Sequence, residues 1–204
     1  AQSDRYTRTG LDALGRVLAE TNSAGALALV TSNSYDRAGR LTSTIDPAGL
    51  LTTNTYANGG RDTTTVSPGP ITNATTRYLD GRTKTVTING SLRQTYRYGA
   101  DTNGSTWTKV WTGTDGTNSV AWTKTVADML GRTVSQERPG YGGGTTLTTT
   151  HAYDAQGRLT NTTTTGSAPT LYEYDSLGNR IRTALDVNGD GDINISGLDR
   201  ITQS

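Results

Sequence analysis

Tyr153-Asp154-Ala155-Gln156-Gly157-Arg158-Leu159-Thr160-Asn161-Thr162-Thr163 is the stretch from which the fold can be read. An aspartate ahead of two variable residues accepts a backbone N–H two or three positions on, and glycine at the fourth place takes a positive φ that other residues resist. After the arginine, polar and apolar side chains alternate with a period of two, the signature of a strand. The phrase is a tight turn with a strand on each side.

It recurs along the chain. Asp12-Ala13-Leu14-Gly15-Arg16, Tyr35-Asp36-Arg37-Ala38-Gly39-Arg40, the degenerate Tyr56-Ala57-Asn58-Gly59-Gly60-Arg61 and the shortened Tyr78-Leu79-Asp80-Gly81-Arg82 come first. Asp128-Met129-Leu130-Gly131-Arg132 and Tyr174-Asp175-Ser176-Leu177-Gly178-Asn179 complete the series with the stretch quoted above. The steps are roughly 20 to 26 residues, with one gap of about 50 that amounts to two units with one phrase worn away. A period in this range marks a repeat architecture. One hairpin cannot bury enough surface to stand alone, so the units are expected to stack side by side in one antiparallel sheet. The reading is an all-β chain with a repeat region at 1–185, an irregular double unit at about 90–130, and a loop and tail at 186–204.

Composition agrees. The 204 residues contain no Phe and no Cys, and only 31% are hydrophobic, while Gly numbers 25 and Thr 41. Disorder would need high net charge as well, and 19 basic against 18 acidic residues leave +1. Threonine is β-branched and suits a wet pleated surface. The lack of cysteine excludes disulfides, thiolate metal sites and a cysteine nucleophile. No apolar run reaches membrane-spanning length. The near-neutral balance, with three lysines, gives no footprint for nucleic acid. The chain opens at Ala1-Gln2-Ser3-Asp4 with no initiator Met, no apolar signal region and no capping element, and it is read as a mature product or a fragment.

Tyr-Asp-x-x-Gly-Arg phrases about 20 residues apart resemble the YD repeats of the Rhs and teneurin-like proteins, best at Tyr35, Asp36 and Gly39, at Tyr153, Asp154 and Gly157, and at Tyr174, Asp175 and Gly178. The resemblance spans about residues 4 to 185. It implies a sheet spiralling into a hollow shell that encloses a toxin or carries an adhesive surface, in a secreted or surface protein. A full shell needs many more units, so this chain is expected to form a section of the wall, with other repeats or an enclosed C-terminal domain of the parent chain as partners. Such a wall is expected to be non-enzymatic. Asp46-Pro47-Ala48-Gly49-Leu50 is similar to the self-cleavage signature of Rhs cores, but its early position and the missing downstream glycine make it an ordinary turn.

Asp186-Val187-Asn188-Gly189-Asp190-Gly191-Asp192-Ile193-Asn194 places oxygen ligands at alternate positions, a glycine at the bend and an apolar residue at position eight, as an EF-hand Ca²⁺ loop requires. Asp186, Asn188 and Asp190 would bind through side chains, Asp192 through its carbonyl and Asn194 directly or through water. The pattern resembles a dockerin loop, with Ile193 anchoring it. Position twelve is Gly197, so either Asp199 closes a loop two residues longer or the sphere lacks a carboxylate. A turn that binds nothing is the alternative.

Trp107, Lys109 and Trp111 alternate onto one face of a strand, and Trp122 follows in its hairpin partner beyond Gly113-Thr114-Asp115-Gly116. Facing outward they would form an aromatic platform with a basic rim for a sugar ring. Facing inward they would be a local core, which the scarcity of apolar mass favours. His151, the only histidine, sits in a strand slot two residues before a repeat tyrosine and suggests no catalytic triad. The turn carboxylates suggest no glycosidase pair. Pro139-Gly140-Tyr141-Gly142-Gly143-Gly144 lacks the lysine and helix of a phosphate loop and is a connection. Arginines that close each phrase are expected to pair with turn aspartates or stack on tyrosines of neighbouring units.

Overall fold

The computed structural model describes residues 5–24 and 26–203. The first four residues of the repeat region lie outside them. Seventeen strands connect with no α-helix among the described residues, and residue contacts divide the chain into two units, Ala1–Gln94 and Thr95–Ser204. No helix is long and apolar enough to cross a membrane.

The first unit is an antiparallel meander of β1 (Arg5–Leu11), β2 (Val17–Ala24), β3 (Leu27–Tyr35), β4 (Leu41–Ile45), β5 (Leu51–Ala57), β6 (Asp62–Ser67), β7 (Ile71–Arg77) and β8 (Thr83–Ile88), each paired with the next. β9 (Ser91–Ala100) contains the boundary. The second unit repeats the pattern with β10 (Thr106–Thr112), β11 (Trp122–Ala127), β12 (Thr133–Pro139), β13 (Thr146–Tyr153), β14 (Leu159–Thr164), β15 (Thr170–Tyr174), β16 (Arg180–Leu185) and β17 (Arg200–Gln203). The last strand was not legible in the sequence, and it ties the C-terminal tail to β16.

Consecutive antiparallel pairing sends alternate connections to opposite ends of the strands. All the Asp-x-x-Gly-Arg turns therefore fall at one end of the strands within each unit, and the other end carries connections of varied length, among them 113–121, 140–145 and 186–199. The repeat turns at 12–16, 36–40, 128–132, 154–158 and 175–179 close in the same way, whereas the degenerate 56–61 folds as a 3-10 turn with the Arg61 N–H on the Asn58 carbonyl at 3.5 Å. The Asp36 N–H donates to the Arg40 carbonyl at 2.9 Å and the Gly39 N–H to the Asp36 carbonyl at 3.0 Å, with Gly39 at φ 81°. The register slips by one residue just before the turn, at Leu11, Tyr35, Arg77, Ala127, Tyr153 and Tyr174. Such a bulge breaks the ladder locally and adds twist.

Two departures from the expected phrases follow from this geometry. In the shortened phrase, Tyr78 stands where aspartate stands elsewhere, its N–H on the Arg82 carbonyl at 2.8 Å, and Arg77 takes the tyrosine slot beside the bulge. In the long gap the worn phrase is Asp101-Thr102-Asn103-Gly104-Ser105, closed by the same two bonds at 2.8 and 3.0 Å, without the flanking tyrosine and arginine. The strand surfaces are held by hydroxyls and amides, for instance Thr44 to Asn33 at 2.9 Å and Thr65 to Asn54 at 2.7 Å. His151 occupies the corresponding slot, half-buried, with Nδ1 3.2 Å from the Thr162 hydroxyl. Only Trp111, Leu171 and Ala184 are buried apolar side chains among the described residues.

Gly157→Ala is expected to cost about 1–2 kcal/mol, because φ there is 83° and alanine resists the left-handed region. Gly144→Ala, with φ −82° and open space around an added Cβ, should leave urea denaturation nearly unchanged. Equal stability of the two variants would contradict the turn geometry.

Candidate functional site

The site that recurs is the turn end of each hairpin. In the turn at 36–40, one carboxylate oxygen of Asp36 accepts the N–H groups of Ala38 and Arg40, both at 2.9 Å, and the other accepts Arg40 Nε at 2.7 Å. Asp12 with Arg16, Asp128 with Arg132 and Asp154 with Arg158 repeat this clamp. Asp175 makes it with Asn179. At the opposite end, in the connection from β4 to β5, Asp46 keeps the backbone bonds, to Ala48 and Leu50, without an arginine.

A clamped arginine is thereby aimed at the next hairpin. The guanidinium of Arg16 lies 4.7 Å from the Tyr35 ring centroid, Arg40 4.5 Å from Tyr56, Arg132 4.7 Å from Tyr153 and Arg158 4.8 Å from Tyr174. Each tyrosine hydroxyl reaches back in turn. Tyr35 donates to the Val17 carbonyl at 3.0 Å, Tyr56 to Leu41 at 2.8 Å, Tyr153 to Thr133 at 2.7 Å and Tyr174 to Leu159 at 2.9 Å. Those carbonyls lie past the last paired residues between hairpins, such as Ala19 with Ser32 and Ser135 with Thr150. The Val17 carbonyl also accepts Asn33 Nδ2 at 3.1 Å, and a half-buried polar group left unpaired is costly. The arginine also approaches the following turn, where a Cβ added at Gly39 would lie 3.5 Å from Arg16 Nη1 and one at Gly60 only 2.8 Å from Arg40 Nη1. At Gly60 glycine gives both the dihedral and the clearance, whereas at Gly39 the dihedral alone calls for it.

The clamps carry a charge preference. Asp36 is held below its ordinary value first by the Arg40 N–H and then by the Arg40 guanidinium, and Asp154 likewise by the Arg158 N–H and, against a desolvation that raises it, the guanidinium. At Asp128 desolvation pushes upward and is outweighed by the bonds from Arg132.

The tryptophans form one cluster. Register sets Trp111 opposite Trp122 and Lys109 opposite Lys124, which puts Trp107, Lys109, Trp111 and Trp122 on one face. Trp111 is 8% exposed, and the Lys109 ammonium lies 5.0 Å from its ring centroid and 3.7 Å from that of Trp122. Arg97 sits 5.7 Å from Trp111. Trp107 packs on Gly99, where a Cβ would fall 2.4 Å from the indole. Trp111 and Trp107 are thus committed to packing within the unit, and Lys109 is spent on the rings rather than forming a free basic rim.

At the C-terminal loop, Asp186 is 2% exposed and accepts the N–H groups of Gly189 at 2.7 Å and Gly191 at 3.0 Å. Asp199 reaches back with both oxygens, to the N–H groups of Val187 at 3.0 Å and Asn194 at 2.9 Å. Asp190 accepts the Asp192 N–H and the side-chain amides of Asn188 and Asn194, and these bonds, the Asp192 N–H foremost, lower its pKa. Gly197 leaves no room for a ligand at position twelve, since a Cβ there would meet Asn194 Cβ at 2.8 Å. Ile193 is half-buried. The donor set is all oxygen, as a hard cation demands, and a carboxylate oxygen that accepts one N–H keeps a second lone pair. Asn188 and Asn194, however, present their NH₂ ends to Asp190, and no three His, Cys, Asp or Glu side chains among the described residues gather as a metal site. The residues fit Ca²⁺ in kind and would have to turn both amides to bind it.

Fold and ladder together define a β-hairpin repeat protein. The RHS Repeat family model matches residues 12–53 and 153–191, which supports the YD/Rhs repeat family for this chain. No curated protein matches it. Among solved structures it is similar to the complex TcdB2-TccC3-Cdc42 (12% identity, TM-score 0.45, 98% of this chain), to TcdB2-TccC3-TEV (12%, 0.45, 96%) and to the Photorhabdus luminescens Tc holotoxin pore (12%, 0.47, 98%). The chain spans 15% of the length of each of those chains.

The lowered aspartates fix the sign of an acid effect. A carboxylate whose folded pKa is depressed stabilises the fold fully above its unfolded value of about 3.9, and the contribution is lost as pH falls through the folded value. The melting temperature should hold from about pH 7 to pH 5 and fall below about pH 4, less steeply in Asp154→Asn than in the parent. A flat profile down to about pH 2 would contradict the clamp.

Proposed function

We propose that this chain is a non-enzymatic structural segment of a larger secreted or surface protein, a length of YD-repeat wall that encloses or presents another domain. The observation that carries this reading is the Asp-Arg-Tyr linkage, which spends the charged and aromatic side chains of four turns on joining one hairpin to the next. The RHS Repeat match supports it. In the parent protein, limited proteolysis should spare the domain beyond the wall, and Tyr153→Phe, which removes the bond to the Thr133 carbonyl, should hasten its cleavage. Equal cleavage of that domain with and without the repeat region would refute enclosure.

Ca²⁺ stiffens the C-terminal loop in this reading, held by Asp186, Asn188, Asp190 and the Asp192 carbonyl, with Asn194 and Asp199 closing the sphere. Extracellular modules bind at about 10⁻⁴ to 10⁻³ M. Millimolar Ca²⁺ should raise the melting temperature of the parent and leave Asp190→Ala unmoved; no rise in the parent removes the ion from the proposal.

A second reading is sugar binding at the tryptophan hairpin. It is favoured by one observation: half-exposed Trp122 lines a cleft of about 600 Å³ with Val120, Arg138 and Pro139.

A further inference from the structure

The cleft of about 600 Å³ beside Trp122 lies where β11 begins and β12 ends, at the connections 113–121 and 140–145. Among the described residues that line it, Arg138 is the one charged side chain, and none is a carboxylate or an amide. Trp122, Pro139 and Val120, the last 75% exposed, supply apolar surface. Arg138 is exposed and makes no hydrogen bond or ion pair among the described residues, whereas Arg132 and Arg158 hold aspartates. The acid beside it in sequence, Glu137, is taken by Lys124 at 3.1 Å. The Lys109 ammonium, 3.7 Å from the Trp122 ring centroid, adds positive charge at the aromatic wall.

An unpaired guanidinium next to apolar surface selects its ligand by charge. A carboxylate accepts two parallel N–H bonds from the guanidinium fork, and an apolar group attached to it covers the indole and the proline ring. A cation would meet only positive charge. A neutral polyol needs acceptors for its hydroxyls, and the side chains of the lining offer only those of Thr112 and Thr123. We propose that this cleft binds a carboxylate carried on an apolar group, with Arg138 holding the carboxylate and Trp122, Pro139 and Val120 covering the rest. A small organic acid and the C-terminus of a polypeptide ending in an apolar residue both present this chemistry. The site depends on neither the wall nor Ca²⁺, and it gives the cleft of the second reading a different ligand.

The test is isothermal titration calorimetry of the whole chain with cyclohexylacetate and with its neutral amide at constant ionic strength, beside Arg138→Gln. Arg138 bonds to nothing in the fold, so Arg138→Gln should melt with the parent. The parent is expected to bind the acid about tenfold or more tightly than the amide, and Arg138→Gln to lose that preference. A blocked peptide ending in a free leucine carboxylate, set against the same peptide amidated, reads the second source. Preference for the acid in either pair supports the site, and the pair that shows it names the source. No binding of either acid, equal binding of acid and amide in both pairs, or a preference that survives in Arg138→Gln overturns it. Methyl glucoside bound where neither acid binds returns the cleft to the second reading and overturns it too.

Discussion

The structure depends on how neighbouring hairpins are joined where their ladder stops. Toward the turns the strands of adjacent hairpins part company two residues early, and a carbonyl such as that of Val17 is left past the last pair. The chain's answer is a relay. Aspartate clamps the arginine of its own turn, the arginine lies over the tyrosine of the next, and that tyrosine's hydroxyl takes the stranded carbonyl of the hairpin behind it. No member is deeply buried, so each contact is modest. Its strength is repetition at Tyr35, Tyr56, Tyr153 and Tyr174.

This explains how so little apolar mass can suffice. An ordinary domain buries its side chains between layers, whereas here only three apolar side chains among the described residues are buried, and two of them, Leu171 and Ala184, face each other across β15 and β16. Thr–Asn and Thr–Thr bonds hold the strand surfaces, and the tryptophan cluster, with Lys109 over two of its rings, thickens the unit where two turns lack tyrosine in the slot, at Ala100 and Ala127.

Much of this was legible because the phrase is local. Asp-x-x-Gly specifies its own turn within five residues, so strands and turns could be read from Tyr35 or Tyr153 alone. The pairing of each arginine with both its aspartate and the next tyrosine was foreseeable only as two options, since the reach of Arg40 to Tyr56 crosses from one hairpin to the next and has no local signal. The worn turn at Asp101 has no flanking tyrosine or arginine to mark it in the sequence, although its Asp-x-x-Gly core alone makes the two backbone bonds. The slipped phrase at Tyr78 hid its register for the opposite reason: it kept tyrosine and arginine and lost a residue between them. At the C-terminal loop the oxygen pattern was plain, but the return of Asp199 to Val187 and Asn194 depends on how β17 docks on β16 and has no local signal.

The two ends of the hairpins in each unit obey different rules of change. At the repeat-turn end, spacing is bound to the relay, and one residue gained or lost changes which residue opens the turn, as at Tyr78, which stands in the aspartate's place. At the other end no such Asp-Arg-Tyr relay joins neighbouring connections among the described residues, and it holds the nine residues 113–121, the glycine-rich 140–145 and the fourteen-residue loop 186–199. Insertions, grafted motifs and new specificities have a permissive border there, and a lineage of such chains can diversify along it while the opposite border stays constant.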